Sequence, residues 1–538
     1  MMEPVMKKFV SSLKHNLTDE DVINLEACID CKLCGDACAW YLGTQDEKLH
    51  PTYKTNFIRD IYKRFLTVEG KVAGAFGLQK APTVEDLREH MPYFWQCTSC
   101  GRCTLSCPVG LSTRRIVRMA RAAYSDSGLS SENPTLKSIV ENLRDIGHSF
   151  GIEPAKIMAR YALFLCSEGI DMPVDVEGAD ILFVCPSAAN TKIPDYATKV
   201  MKILNAANVS YTVSSKLVET GTEADHIVVH HDLTRRILED WENEAERLNA
   251  KQILVVECGC DTRTLYGDAT EILGRPLKYP VIMFDPLITD LINDGTLPVE
   301  KVDTSVTLHD PCHSTRLSGM ADLMRDLLNK VTDNFVEMTP NREYNYCCNG
   351  GAGGMRLPEN TDTRRKVSVF KANQIKDSGA EYVCSPCVVC VLTLQDTCTT
   401  YDLAKQPGDR MSIMLFEVVY DAMVKALVKR GELDRIRIPI AFEGKSEEYI
   451  ATHSVAGKMY KLLQNKEMAT RILNWLEQDD VVKRYAKVNP GVNEQLDRFR
   501  EMVNAETLDY CQPRKKPLTK PIMVDLLSDS ADVEAVVQ

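Results

Sequence analysis

Thirteen of the chain's 20 cysteines fall into three constellations whose spacing suits metal ligation. Cys28, Cys31, Cys34 and Cys38 read C-x2-C-x2-C-x3-C; Cys97, Cys100, Cys103 and Cys107 repeat that spacing and are followed by Pro108. Further on, Cys312 is followed after 34 residues by the adjacent pair Cys347 and Cys348, and after 35 more by Cys384 and Cys387 in C-x2-C spacing. In a run like the first two, three close thiolates wrap three corners of an iron-sulfur cubane, while the fourth lies on the outgoing segment and points to a second cubane. The ligand sets therefore cross: Cys28, Cys31, Cys34 and Cys107 for one cubane, Cys97, Cys100, Cys103 and Cys38 for the other. Zinc sites take four ligands as two spaced pairs and do not call for two identical four-cysteine runs. The five thiols of the third set exceed what one cubane needs. Adjacent cysteines diverge along extended chain, which suits a more open cluster with two iron subsites.

The rest of the composition bounds the function. The chain has 538 residues and a net charge of -12, with no basic face to displace counterions from phosphates, so no nucleic-acid partner is expected. No segment supplies the roughly 18 uninterrupted apolar residues of a spanning helix. The best stretch, Met411 to Leu427, is broken by Glu417, Asp421 and Lys425. Met1 to Lys14 has no apolar core and cleavage site of a secretory signal, so a cytoplasmic location is expected, where thiols stay reduced.

The elements around the cysteines read as an α+β multidomain chain. Asn56 to Phe65 and Thr113 to Tyr124 carry helical spacing near the first two sets. From about Asp180 to Gly431, strand-like runs at Ile181 to Val184, Ile253 to Val256, Val306 to Leu308 and Tyr382 to Cys384 alternate with helical stretches. The pattern repeats: Cys312 lies 127 residues after Cys185, Cys384 lies 126 after Cys258, and Cys387 lies 127 after Cys260. Carried back by 127 residues, the Cys347–Cys348 pair meets Thr220 and Gly221, so the first repeat is degenerate and has lost its cluster. That repeat is expected to pack against the second and shape the pocket, and its Cys185, Cys258 and Cys260 read as leftovers, with another metal or redox role as the alternative. Asn349-Gly-Gly-Ala-Gly-Gly-Met355 would let backbone amides approach cluster sulfurs, and lacks the Gly-Lys-Ser/Thr of a nucleotide loop. Cys390 reads as a spare thiol near the pocket, and Cys166, Cys398 and Cys511 as packed hydrophobes. The expected boundaries are 1–150 for a helical dicluster domain, 179–300 for the degenerate repeat, 301–431 for the complete one, and 432–538 for a helical extension with stretches at Val455 to Leu463 and Met468 to Leu476. From Gln512 the chain reads as an extended arm, with Pro513, Pro517, Pro521 and Arg514-Lys-Lys516.

Residues 20 to 130 resemble the helical dicluster ferredoxins of anaerobic respiratory enzymes, with Ala39 in place of the usual proline after the first run. The third set resembles the motif of the CCG domain family, with Asn349 where that family has glycine. In heterodisulfide reductases this motif holds a noncubane 4Fe-4S cluster at which a disulfide is cleaved. A dicluster ferredoxin joined to two such repeats resembles the D subunit of membrane-linked heterodisulfide reductase, and one complete set beside a degenerate one resembles the DsrK type of the family. That likeness implies two 4Fe-4S cubanes and one noncubane cluster held by Cys312, Cys347, Cys348, Cys384 and Cys387. It implies reduction of a disulfide or trisulfide on a small DsrC-like sulfur carrier in dissimilatory sulfite reduction. Electrons would come from a menaquinol-oxidising, DsrM-like membrane cytochrome b, with the chain attached peripherally to the cytoplasmic face of the inner membrane. His309 and His313, flanking Cys312, are the expected proton donors. Two other readings stand beside this one: an electron-relay subunit of a lactate, glycolate or glycerol-3-phosphate type dehydrogenase, and a non-enzymatic scaffold.

Overall fold

A computed structural model describes residues 2–404 and 409–505; the proline-bearing arm read from Gln512, and Cys511, lie outside them. The N-terminal domain is a helical bundle whose helices start on explicit capping signals. Thr18 and Asp21 form a reciprocal capping box at Asp19–Glu26, and Thr83 and Asp86 do the same at Val84–Trp95. His50 accepts the Thr52 amide through Nδ1 at 3.1 Å and opens Pro51–Phe65, where proline at the first position needs no amide partner. The apolar stripe of that helix packs with Thr113–Ser127 around Phe9, Phe94 and Tyr124, with Phe9 and Tyr124 edge to face at 5.0 Å.

Two parallel four-stranded sheets follow. The first contains β1 (Ile181–Val184), β2 (Tyr211–Val213), β3 (Gln252–Val255) and β4 (Val281–Met283) in the order β2-β1-β3-β4. The second contains β5 (Val306–Leu308), β6 (Phe335–Val336), β7 (Tyr382–Ser385) and β8 (Ser412–Met414) in the equivalent order β6-β5-β7-β8. Every pairing is parallel, so helices must carry the chain back between strands and cover the sheets. The molecule is thus α+β, with a helical dicluster domain ahead of two small α/β units.

The carboxyl ends of β3 and β7 meet: the Val388 amide donates to the Glu257 carbonyl at 3.3 Å, and Ser314 Oγ donates to the Glu257 carboxylate at 2.6 Å. This is the end of a parallel sheet at which ligands bind. Pro194–Ala206 and Leu415–Arg430 lock the two units together through a buried Lys199–Glu417 ion pair and the Tyr196–Phe416 ring contact. The helices from Val455 onward pack on Pro154–Ser167, which precedes the first sheet. Among the described residues, no helix is long and apolar enough to cross a membrane.

Candidate iron-sulfur centres and the cavity beside them

Eight thiols of the N-terminal domain converge on two hollows. Cys28, Cys31, Cys34 and Cys107 line the first, and Cys38, Cys97, Cys100 and Cys103 line the second. None of the described cysteines is in a disulfide. The two hollows differ in electrostatics. At the first, Cys31 is exposed and Ile29 is 79% exposed; burial and the surrounding thiols push the Cys34 thiol up to about 12. At the second, burial pushes Cys38 up to about 11 against the opposing pull of the Lys54 ammonium. Lys54 is buried and donates to the Leu49 carbonyl at 2.9 Å, while Arg121, also buried, donates to the Cys97 carbonyl at 2.7 Å. Buried cations need compensation, and four thiolates around one hollow supply it. Asn349 fits the same expectation: both polar atoms of its buried side-chain amide lack a protein partner, and it lines the second hollow. The donor set and these orphaned groups fit an iron-sulfur cluster in each hollow.

The third centre is assembled at the strand ends of the second sheet. Pro311 ends the loop after β5 and caps the short helix Cys312–Arg316, putting Cys312 at its first position. Cys347 lines the second hollow with Cys100 and packs near it, and also shares a cavity wall with Cys312, so it adjoins both its own set and a ligand of the second hollow. Cys348 Sγ lies 3.2 Å from Cys390 Sγ, and Cys390 in turn hydrogen-bonds Cys387. The thiols brought together are therefore Cys312, Cys347, Cys348, Cys387 and Cys390. Cys384 is not among them. It sits on β7, fully buried, and does not line the cavity that the other five thiols reach. Cys387 caps Val388–Thr400 and Cys390 lies one helical turn on, so those two share a face, whereas the strand sends Cys384 into the core between sheet and helix. Cys390 is the ligand candidate that the spacing misses: C-x2-C-x2-C contains two overlapping pairs, and only the strand-to-helix boundary tells them apart.

The glycine-rich loop holds the cysteine pair in place. The amides of Asn349 and Gly350 donate to the Cys347 and Cys348 sulfurs at 3.3 and 3.5 Å. Asn349 takes the left-handed conformation, φ 71°, which asparagine tolerates better than most residues, so the turn survives without glycine there. At Gly350 a Cβ would stand 2.0 Å from Thr393 Oγ1, and glycine is required. Arg316 ties this loop to the N-terminal domain, donating to the carbonyls of Cys100 at 3.1 Å and of Asn345. His309 is buried, with a ring nitrogen within 4.8 Å of the Cys348 and Cys390 sulfurs. His313 is also buried and has no partner at either ring nitrogen. Burial, helped by nearby cations, holds both imidazoles well below their ordinary range and hence neutral.

A cavity of about 750 Å³ adjoins the five thiols, all of which reach its wall together with His313. Glu223 and Cys260 of the first unit face them, and Trp475, Asp479 and Arg484 of the C-terminal helices close another side. Arg160 braces that closure through an ion pair to Asp479 and by stacking over Trp475 at 4.8 Å. The amphipathic spacing of Lys466–Gln478 and Asp480–Val488 gives no hint of this role in the sequence.

The first unit presents the same positions with other residues. Pro186 precedes Ser187–Lys192 as Pro311 precedes Cys312, so Ser187, and not Cys185, is the counterpart of Cys312. Cys258 caps Gly259–Arg263 as Cys387 caps its helix, 129 residues later. Asp261, three residues on, likewise stands against Cys390. The second strands, β2 and β6, are offset by 124, so no uniform offset of 127 serves the repeat.

The model of the 4Fe-4S dicluster domain matches residues 24–111, and that of the Cysteine-rich domain matches residues 306–395. An Hdr-like menaquinol oxidoreductase iron-sulfur subunit 2 from Archaeoglobus fulgidus is 25% identical over 71% of this chain and 78% of its own length. A subunit of the dihydromethanophenazine:CoB–CoM heterodisulfide reductase from Methanosarcina barkeri is 26% identical over 71% of this chain and 91% of its own length. An EtfAB:quinone oxidoreductase from Syntrophomonas wolfei subsp. wolfei is 21% identical over 70% of this chain and 56% of its own length. The chain thus carries a 4Fe-4S dicluster domain ahead of a cysteine-rich domain and is similar to iron-sulfur subunits of Hdr-like oxidoreductases.

Proposed function

We propose that the chain reduces a sulfur–sulfur bond, a disulfide or trisulfide carried on a small DsrC-like protein, in the cavity beside Cys312, Cys347, Cys348, Cys387 and Cys390. One observation carries this reading. Five thiols share a cavity wall, and one of them, Cys347, also lines the second dicluster hollow with Cys100. The five would hold a noncubane 4Fe-4S cluster and the eight N-terminal thiols two cubanes. Bound there, the clusters supply single electrons and a thiophilic iron for the substrate sulfur.

The chain's own residues do the rest. The hollow shared by Cys100 and Cys347, fixed by Arg316, keeps the electron path between the two centres short. His313 at the cavity wall and His309 beside Cys348 and Cys390 are positioned to hydrogen-bond sulfur. Arg356, Lys192 and Arg484 line the cavity and suit a substrate segment that carries carboxylates. The degenerate first unit supports assignment to the DsrK type, in a complex of dissimilatory sulfite reduction on the cytoplasmic face of the inner membrane. The menaquinol in one relative's name supports a quinol-oxidising, DsrM-like cytochrome b as the electron source. Likeness to an EtfAB:quinone oxidoreductase favours the second reading, in which the chain only relays electrons.

An EPR redox titration of anaerobic protein, with and without a synthetic peptide bearing an intramolecular disulfide or trisulfide, separates the two. Reduction at the five-thiol site predicts a signal distinct from the cubanes that changes with the peptide and is lost in Cys347→Ser. Cubane signals alone, indifferent to the peptide, would leave only the relay.

A further inference from the structure

Cleaving a disulfide with two electrons breaks one S–S bond, reduces both sulfurs and forms two S–H bonds, so two protons must reach the cavity. The first unit holds them. It buries Glu219 and Asp261, and Glu223, four residues beyond Glu219, reaches the wall of the cavity that the five thiols line.

We propose that the first unit is the proton store of the reaction: Glu223 protonates the thiolate leaving the substrate, and Glu219, a buried acid four residues before it, returns the proton to Glu223. This rests on the reductase reading above. Electrons come from the cubanes of that reading, and the store refills from solvent where the cavity opens beside exposed Gln478 and Asp480. The Ser149 amide donates to Glu219 at 2.8 Å, and Glu223 faces Arg356 Nε at 3.5 Å. Glu219 also accepts from the Ser187 hydroxyl and faces His148 Nε2 at 3.2 Å. Asp261 takes the Thr222 hydroxyl at 2.6 Å, and its second oxygen, wholly buried, has no partner. A carboxylate in that position would be an uncompensated charge, whereas a carboxylic acid is not.

The charges facing these groups agree. Burial, reinforced by Glu223 and Asp261, pushes Glu219 up to about 8. Burial pushes Asp261 up to about 7 and raises Glu223 despite Arg356. Burial, with Arg160 and Arg356 nearby, drives His148 down to about 3. Glu219 and His148 therefore meet as a neutral acid and a neutral imidazole at pH 7, and the facing atoms, Glu219 Oε2 and His148 Nε2, have no hydrogen-bond partner that would hold a charge there. An acid that keeps its proton near neutrality is suited to general acid work.

The test uses cluster-loaded protein, reduced methyl viologen as electron donor and the disulfide peptide. Glu223→Gln is expected to lower turnover by about a hundredfold with unchanged cluster EPR, and Glu223→Asp to recover part of the loss with a shifted pH profile. Infrared difference spectra at pH 7 are expected to show a protonated carboxylic-acid carbonyl band that Glu219→Gln removes. Wild-type-like turnover and pH profile in Glu223→Gln, or no such band in the wild type, overturns the proton store. A wild type whose clusters reduce but never turn over the peptide overturns the reductase reading, and the store with it.

Discussion

The two α/β units share a sheet order and a set of positions, yet one gathers five thiols and the other buries carboxyls. Both place a residue at the first turn after β1 or β5, another in the loop past the second strand of the unit, and two more around the helix that follows β3 or β7. The second unit has Cys312, Cys387 and Cys390 at the helix starts and the Cys347–Cys348 pair in the loop; the first has Ser187, Cys258 and Asp261 at the helix starts and Glu219 and Glu223 in the loop. The scaffold fixes where side chains converge, and residue type decides whether metal or protons are held there.

The sharpest break in that comparison is a matched pair of substitutions. Cys387→Ser should lower peptide disulfide reduction by about a hundredfold or more, since it removes a cluster ligand, while Cys258→Ser at the matching position of the first unit should leave turnover within about twofold. Steady-state viologen oxidation reads both.

The next effect is on stability against pH. An unfolded Glu219 ionises near 4.5, but in the folded chain it keeps its proton up to about 8. The folded state holds the extra proton between those values, so this contribution is complete below pH 4.5, falls as pH rises and levels off above pH 8. Urea midpoints of wild type should decline across that window by a few kcal/mol at most relative to Glu219→Gln, whose profile should be flatter.

Smaller again is the effect at two glycines, one in each unit. Gly350→Ala forces a Cβ to within 2.0 Å of Thr393 Oγ1 and should cost about 2 kcal/mol, with disturbance of the Cys348 amide contact. Gly221→Ala meets side-chain methyls, the nearest of them Ile237 at 3.1 Å, and should cost about 1 kcal/mol, mostly from its positive φ of 69°. Denaturant titration ranks the two.

The smallest effect sharpens the contrast between the dicluster hollows. Lys54→Met removes a buried positive charge beside Cys97, Cys38 and Cys103 and should lower that cubane's potential by about 60 mV, a tenfold change for one electron. The cubane of Cys28, Cys31, Cys34 and Cys107 should stay unchanged in the same EPR titration.

Much of this is legible in the order of the amino acids. The two four-cysteine runs carry their own ligand logic, and the apolar runs at Ile181 and Val306 coincide with strands because four consecutive or alternating apolar residues ending at turn signals suit a buried parallel strand. What escapes that reading depends on where one element gives way to the next. Cys384 and Cys390 are equally spaced from Cys387, and only the end of β7 at Ser385 separates a core-facing thiol from a helical one. The repeat register escapes because the connections within the two units differ in length, so no single offset serves all positions. The cavity wall built by Trp475 and Asp479 escapes because an amphipathic helix does not state what it packs against.

The central claim is that one metal centre is held by Cys312, Cys347, Cys348, Cys387 and Cys390, with Cys384 a core residue. EPR of oxidised, reconstituted protein carrying Cys390→Ser or Cys384→Ser tests it directly. The account predicts that the non-cubane signal disappears in Cys390→Ser and persists in Cys384→Ser, with both cubane signals intact throughout. Loss of the signal in Cys384→Ser and its survival in Cys390→Ser would contradict it.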